Sequence, residues 1–236
     1  MKARYALLTS CLTCLIFSQA SAGEQGNIGV GVKAGTLGIG AEVDLGLNEI
    51  LHLRGGANYL QFSFDSTVSN IDYEMEPEFK NASLLLDVYP FSGSFRITGG
   101  VFINNNEIAL TGSPREEFWG DSTIPSNYSS VVDPLKDSIK LNGTVEFNTF
   151  APYVGIGWNS NVEQERGWGV SFEMGVLFQG APTVSSLTLA AAPPLDAYTD
   201  NPIILQALEH EKKAIEEDLD YFQYYPVASL MFHYTF

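Results

Sequence analysis

The chain has only two cysteines and three histidines, and both cysteines, Cys11 and Cys14, lie among its first fourteen residues. If that segment is removed, no disulfide and no thiolate metal site can form in what remains. Basic residues are scarce as well: 12 Lys and Arg face 28 Asp and Glu, a net charge of −16. That balance excludes nucleic acid as a partner, because phosphate binding needs cations. No apolar run after residue 22 is long enough for a membrane-spanning helix, which needs about 20 residues. No HExxH and no nucleophile elbow occurs, so the common hydrolase signatures are missing. What is plentiful is aromatic: 15 Phe, 11 Tyr and 3 Trp, a composition that argues against disorder.

The first residues read as a targeting segment. Lys2 and Arg4 precede a short apolar stretch that ends at Ala20-Ser21-Ala22. This predicts a signal peptide over residues 1–22, cleaved after Ala22, and export of the chain. A transmembrane helix is disfavoured, because Ser and Thr interrupt a stretch already shorter than a span. A lipoprotein reading of Leu8-Thr9-Ser10-Cys11 is disfavoured because so few residues precede it. Residues 23–236 suit one domain.

Beyond residue 22 the signal is alternation. Leu37, Ile39, Ala41, Val43 and Leu45 oppose Gly38, Gly40, Glu42, Asp44 and Gly46; Trp168, Val170, Phe172, Met174 and Val176 oppose Gly169, Ser171, Glu173 and Gly175. Period two puts each set on one face of a strand. Eight such strands are expected, at about 27–34, 37–47, 51–64, 79–90, 95–104, 149–159, 167–179 and 224–236. One face is bulky and apolar throughout. The other is rich in glycine with isolated charges, a poor surface for water but a good lining for a narrow lumen. The expected fold is therefore all-β: an eight-stranded antiparallel up-and-down transmembrane β-barrel, its apolar face toward lipid. Aromatic residues at strand ends fit interfacial girdles.

Register supports this. A Gly35-Thr36 turn sets Ala34 opposite Leu37, and Asn48-Glu49-Ile50 sets Leu47 opposite Leu51 and so Asp44 opposite Arg54. The lumen is then expected to hold Lys33, Arg54 and Arg96 against Glu42, Asp44, Asp87 and Glu173, with Asp44–Arg54 as one pair. Buried charges must be paired, and an eight-stranded interior has room only for its own side chains, so the expected result is an ion-pair plug. A selective ion path is the alternative. His52 and His233 also point inward, but nothing sets a nucleophile beside either, and the chain is read as no enzyme, with no metal and no cofactor. Between the last two strands a helix is expected over about 202–221, with Asn201 as cap, Pro202 in the first turn and an apolar stripe of Ile204, Leu208, Ile215 and Leu219 that packs on strand extensions or binds a partner. "KLNGTVEFNTFAP" keeps strand-like alternation but changes phase near Phe147–Phe150, which predicts a bulge or an extension above the membrane. The long connections carry Asp72, Glu74, Glu76, Glu78, Glu116, Glu117, Asp121, Asp133 and Asp137. They suit a solvated surface, or bridging by divalent cations to anionic lipopolysaccharide.

The chain ends on "FHYTF", with Phe232, Tyr234 and Phe236 at alternate positions. This resembles the C-terminal signal that bacterial outer-membrane barrels present to their assembly machinery. The remainder resembles the small eight-stranded barrels of the outer-membrane protein A transmembrane-domain group. The resemblance implies a Gram-negative outer membrane, both termini periplasmic, and outer-membrane lipid, lipopolysaccharide and the barrel assembly machinery as partners. A structural or surface-interaction role is expected, with a possible external partner through loops 105–148 and 180–223. The alternatives are a barrel that modifies envelope lipid and a narrow, porin-like solute channel. The 202–221 helix departs from the simple members of that group.

Overall fold

The computed structural model describes residues 27–68, 71–114, 139–160, 166–190 and 202–236. The expected signal segment and cap Asn201 lie outside these residues, as do Glu116, Glu117, Asp121, Asp133 and Asp137. The described chain is antiparallel β throughout except for one helix, and that helix is not long and apolar enough to cross a membrane. The strands are β1 (Ile28–Gly35), β2 (Gly38–Gly46), β3 (Leu51–Gln61), β4 (Phe64–Val68), β5 (Ile71–Val88), β6 (Phe95–Asn104), β7 (Glu107–Pro114), β8 (Lys140–Glu146), β9 (Phe150–Asn159), β10 (Gly167–Phe178), β11 (Thr183–Ala190) and β12 (Tyr224–Thr235); the helix α1 is Pro202–Asp218.

Pairing closes on itself. β1 pairs β2, β2 pairs β3, β3 pairs β5, β5 pairs β6, β6 pairs β9, β9 pairs β10, β10 pairs β12, and β12 returns to β1. The last strand therefore has no free edge in the ring, and Phe236 donates its N–H to the carbonyl of Ile28. β12 is thus the strand that closes the ring.

β4, β7 and β11 are strands beyond the expected set, and β8 is the strand-like extension that the alternation of KLNGTVE predicts. Each continues a ring strand past a short break: β3 into β4, β6 into β7, β9 into β8 and β10 into β11. β5 runs through unbroken, pairing β4 and β7 with its first half and β3 and β6 with its second. The phase change near Phe147–Phe150 is the break between β8 and β9. Pro77 sits where β3 gives way to β4, and its carbonyl accepts from Phe62 N across that break. A residue without an N–H is tolerated where ladder pairing is already interrupted. Five barrel strands thus rise past the rim within the same sheet, while β1, β2 and β12 stop at it.

α1 fills the missing side. Ile215 and Leu219 are buried with Ile71, Tyr73, Met75, Leu110, Leu141 and Val184 of the rising strands. The stripe therefore packs on the strand extensions; the side chain of Ile204 lies outside the described residues. Tyr73 donates to Glu211 Oε1 at 2.9 Å, and Val184 N donates to Glu216 Oε1 at 2.9 Å. Burial first, and then the Glu211 carboxylate, push the Tyr73 phenol well above its ordinary range, so it remains a donor. The helix closes with a 3-10 turn over Asp220–Gln223 that leads directly into β12. Ile215→Ala is expected to cost about 2–5 kcal/mol locally, the usual loss for a buried isoleucine. Faster proteolysis of α1 with an intact barrel would show it; unchanged cleavage would show that the stripe does not hold the helix.

The first hairpin corrects the sequence reading. Gly35 pairs Gly38, so the turn residues are Thr36 and Leu37, and Lys33 lies opposite Gly40. The positive φ of Gly38 turns the chain one residue later than expected and swings Leu37 inward, where it is buried. The shift moves Lys33 to a partner two residues further along, an even number, so the inner and outer faces are unchanged.

Candidate functional site

The ring strands bury polar residues and expose apolar ones. Arg54 on β3, 2% exposed, is the hub of the interior. Its Nη1 donates to Glu42 Oε2 at 3.0 Å and its Nη2 to Asp87 Oδ1 at 3.1 Å, with Glu173 Oε2 also against Nη2. Arg96 Nη2 donates to the same Glu173 oxygen at 2.7 Å and Nη1 to Ser171 Oγ at 3.2 Å. Lys33 Nζ meets Glu42 Oε1. Thr98 Oγ1 donates to Asp87 Oδ1 at 2.6 Å, and Tyr153 OH to Glu173 Oε1 at 2.9 Å. Two cross-strand glycines make room for that tyrosine: a Cβ at Gly155 or Gly175 would come within 2.5 or 2.4 Å of its hydroxyl.

Six of the seven charged residues singled out in the sequence thus form one connected network: Lys33, Glu42, Arg54, Asp87, Arg96 and Glu173. The seventh, Asp44, does not join it. Asp44 does stand opposite Arg54 in the ladder. Yet the guanidinium reaches inward and diagonally to Glu42, Asp87 and Glu173, while Asp44 meets His52 Nδ1 at 2.8 Å. Three carboxylates at the centre outcompete one nearer the barrel mouth, so the expected Asp44–Arg54 pair is replaced by Asp44–His52.

Two further layers were not singled out. Above the charges lie Leu85, Phe102, Ala151, Tyr153, Leu177 and Val227, apolar side chains packed inside the barrel. Above these is a chain of amides. Asn58 Nδ2 donates to Asn81 Oδ1 at 2.8 Å, Asn81 Nδ2 to Asn106 Oδ1 at 3.4 Å, Asn106 Nδ2 to Gln179 Oε1 at 3.2 Å, and Gln179 Nε2 to the Phe222 carbonyl at 3.0 Å. It ties β3 and β5, through residues just past the ends of β6 and β10, to the segment that follows α1. Parity already placed Leu85 and Phe102 on the inner face; nothing local showed that they meet. Among the described residues no three His, Cys, Asp or Glu side chains are placed to hold a metal ion.

The outer face is the mirror of this. Val30, Val32, Ile39, Val43, Leu84, Leu86, Ile97, Val101, Val154, Ile156, Val170 and Leu230 are all exposed. At the end where β1 starts and β12 finishes, Trp168 stacks on Phe232 with ring centroids 4.9 Å apart and meets Tyr234 at 5.0 Å, and Tyr234 meets Phe236 at 5.0 Å. At the other end Tyr59, Phe62, Phe64, Phe150, Phe178 and Tyr224 are exposed. Phe232, Tyr234 and Phe236 therefore share one outward aromatic cluster.

β5 crosses both environments without a break in its pleat. Its odd residues point inward along the whole strand and its even residues outward. Before residue 79 the inward set is Ile71, Tyr73, Met75 and the outward set Asp72, Glu74, Glu76. After residue 80 the inward set is Asn81, Ser83, Leu85, Asp87 and the outward set Ala82, Leu84, Leu86. Except for Leu85, polarity inverts on both faces at one level.

No protein-family model matches this sequence, and no characterised relative matches it. Among the solved structures that share its fold are two outer-membrane proteins of one organism. CarO2 of Acinetobacter baumannii is 18% identical with a TM-score of 0.56, the match covering 91% of this chain and 100% of that one. CarO of the same organism is 22% identical with a TM-score of 0.53, covering 88% and 97%.

Proposed function

We propose that this chain is an integral protein of the bacterial outer membrane, an eight-stranded transmembrane barrel with both termini periplasmic and a lumen plugged by its own side chains, serving a structural or surface-interaction role rather than catalysis. The observation that carries this reading is the polarity inversion along β5. A strand that keeps its pleat but exchanges acidic for aliphatic residues on its outer face, and apolar for polar on its inner face, passes from water into lipid at that level. Two further features support it. Exposed aromatics bound the aliphatic band at both ends, as girdles do. From Trp168 to Phe178 is ten residues of β10, about 25 Å of height at an ordinary barrel tilt, which suits the apolar band of outer-membrane barrels. The likeness to the two CarO structures supports the fold and adds no activity.

On this reading the rising strands and α1 lie outside the cell. The segments 105–148 and 180–223 then include β7, β8, β11 and α1, so an external partner, lipopolysaccharide included, would meet a folded surface more than free loops. The charge layer, the apolar layer and the amide chain lie in series across the lumen, which supports a plug over a solute channel. The ring nitrogens of His233 have no hydrogen-bond partner, so no nucleophile is aligned on it, which weighs against a lipid-modifying enzyme.

Planar-bilayer recording of the refolded protein tests the plug: no steady conductance is expected, and reproducible single-channel steps would replace it with the channel reading. Deletion of Phe236 tests the assembly role. It removes an exposed aromatic and the N–H that closes the seam to Ile28, and is expected to lower the heat-modifiable, membrane-inserted fraction in cells. Normal insertion would remove Phe232, Tyr234 and Phe236 from any assembly signal.

A further inference from the structure

Between the ion network and the barrel end where the termini meet lies a cavity of about 30 Å³, lined by Glu42, Asp44, His52, Arg54, Tyr89, Arg96 and His233 among others. That is room for one or two waters. His233 faces it. The residue is only 6% exposed, yet neither ring nitrogen has a hydrogen-bond partner. Buried polar groups in folded proteins are as a rule bonded, so an imidazole left with both nitrogens unpaired in a polar cavity calls for a partner.

The ladder shows where that partner is. On the inner face His233 is flanked by Gly31 of β1 and Gly169 of β10. Beyond Gly31 stands Glu42, and beyond Gly29, one row nearer the mouth, stands Asp44. β1 therefore presents no side chain between the imidazole of β12 and the carboxylates of β2. Strands two apart are separated by about 9.5 Å, a distance that a water spans or that a modest swing of both side chains closes. Gly31 cannot be filled: a Cβ there would lie 2.9 Å from His233 Cβ and 2.9 Å from the Phe232 carbonyl oxygen. The bare strand is thus required by the position of His233.

Charge points the same way. Lys33, Arg54 and Arg96 face Glu42, Asp44, Asp87 and Glu173, one negative charge in excess. Asp87 and Glu173 are held by the two arginines, and Glu42 by Lys33 and Arg54. Asp44 is the carboxylate with no permanent cation, bonded only to a histidine. The titratable groups facing the cavity are Glu42 and Asp44 from β2, His52 and Arg54 from β3, Tyr89 after β5, and Arg96 from β6; of these, His52 is the one other imidazole. Burial and Arg96 oppose a charge on His233, and Asp44 favours it.

We propose that His233 and His52 are two proton-accepting positions that compete for Asp44, so that protonation of His233 draws this carboxylate across the Gly29–Gly31 gap, away from His52, and rearranges the mouth of the lumen at the termini end. This goes beyond the plug reading and holds whichever compartment that end faces.

Histidine ring resonances of the full chain refolded in micelles, followed from pH 8 to pH 5 with exposed His210 of α1 as reference, test it. His52 is expected to shift in two steps, the second coinciding with the titration of His233. In His233→Gln, which keeps a neutral polar side chain, the second step at His52 should vanish; in Asp44→Asn the two rings should titrate independently. A His52 resonance that ignores the His233 midpoint, or a His233 that stays neutral to pH 5, overturns the proposal. Should Asp44→Asn fail to refold, the wild-type and His233→Gln curves alone decide it.

Discussion

Arg54→Ala is expected to be the most damaging single substitution in the barrel interior. Its side chain faces Glu42, Asp87 and Glu173 at once, and all four residues are buried. Removing one partner of a buried pair costs about 3–5 kcal/mol, because the other charge is left without water and without a counter-charge. Here three carboxylates lose a shared cation. Arg96 still reaches Glu173 and Lys33 still reaches Glu42, while Asp87 keeps the Thr98 hydrogen bond and a longer, 3.7 Å ion pair with Arg96 Nε, so it is the carboxylate left most weakly compensated. Arg54→Met combined with Asp87→Leu should therefore recover part of the loss, since replacing a buried pair by apolar groups can be nearly neutral. Asp44→Ala should cost about 1 kcal/mol or less, because its partner is His52 and its side chain is partly exposed at the mouth. Urea unfolding in lipid vesicles, read by tryptophan fluorescence and gel mobility, measures all three. Equal losses for Arg54→Ala and Asp44→Ala would mean that Arg54 is not the hub.

Ile156→Arg tests the other face. Ile156 is 40% exposed at mid-height on β9, between Ile97 and Met174. Facing water, arginine there would be neutral or favourable. Facing the middle of a bilayer, it costs about 2–4 kcal/mol. Glu76→Arg on the outer face of β5 above the rim is the control and should change stability little, because that position is solvated on either reading. A barrel that folds into vesicles equally well with either substitution would end the lipid-facing assignment.

Residue alternation alone shows which residues of a strand share a face, and it puts the seven charged residues together on the face that carries the glycines. Those properties follow from a period of two, and period survives in sequence without knowledge of any partner. It survived even an error: the first turn lies at Thr36-Leu37, one residue from where a Gly-X pair suggested, yet Lys33 still points inward. The rise of β5 through Ile71, Tyr73 and Met75 was equally legible as alternation. Its polarity runs opposite to that of the strands around it, which is why composition there points to a solvated connection.

What the tertiary structure decided is which inward residues meet. Arg54 has Asp44 directly opposite in the ladder, but its guanidinium is long enough to choose among carboxylates from β2, β5 and β10, and that choice depends on how the ring strands converge on one axis. The stacking of Leu85, Phe102 and Leu177 into an apolar layer, and the seating of α1 on the strands that outgrow the rim, have the same cause. Ladder neighbours are set locally by pleat and turn, whereas contacts across a lumen are set by closure, which no single strand encodes.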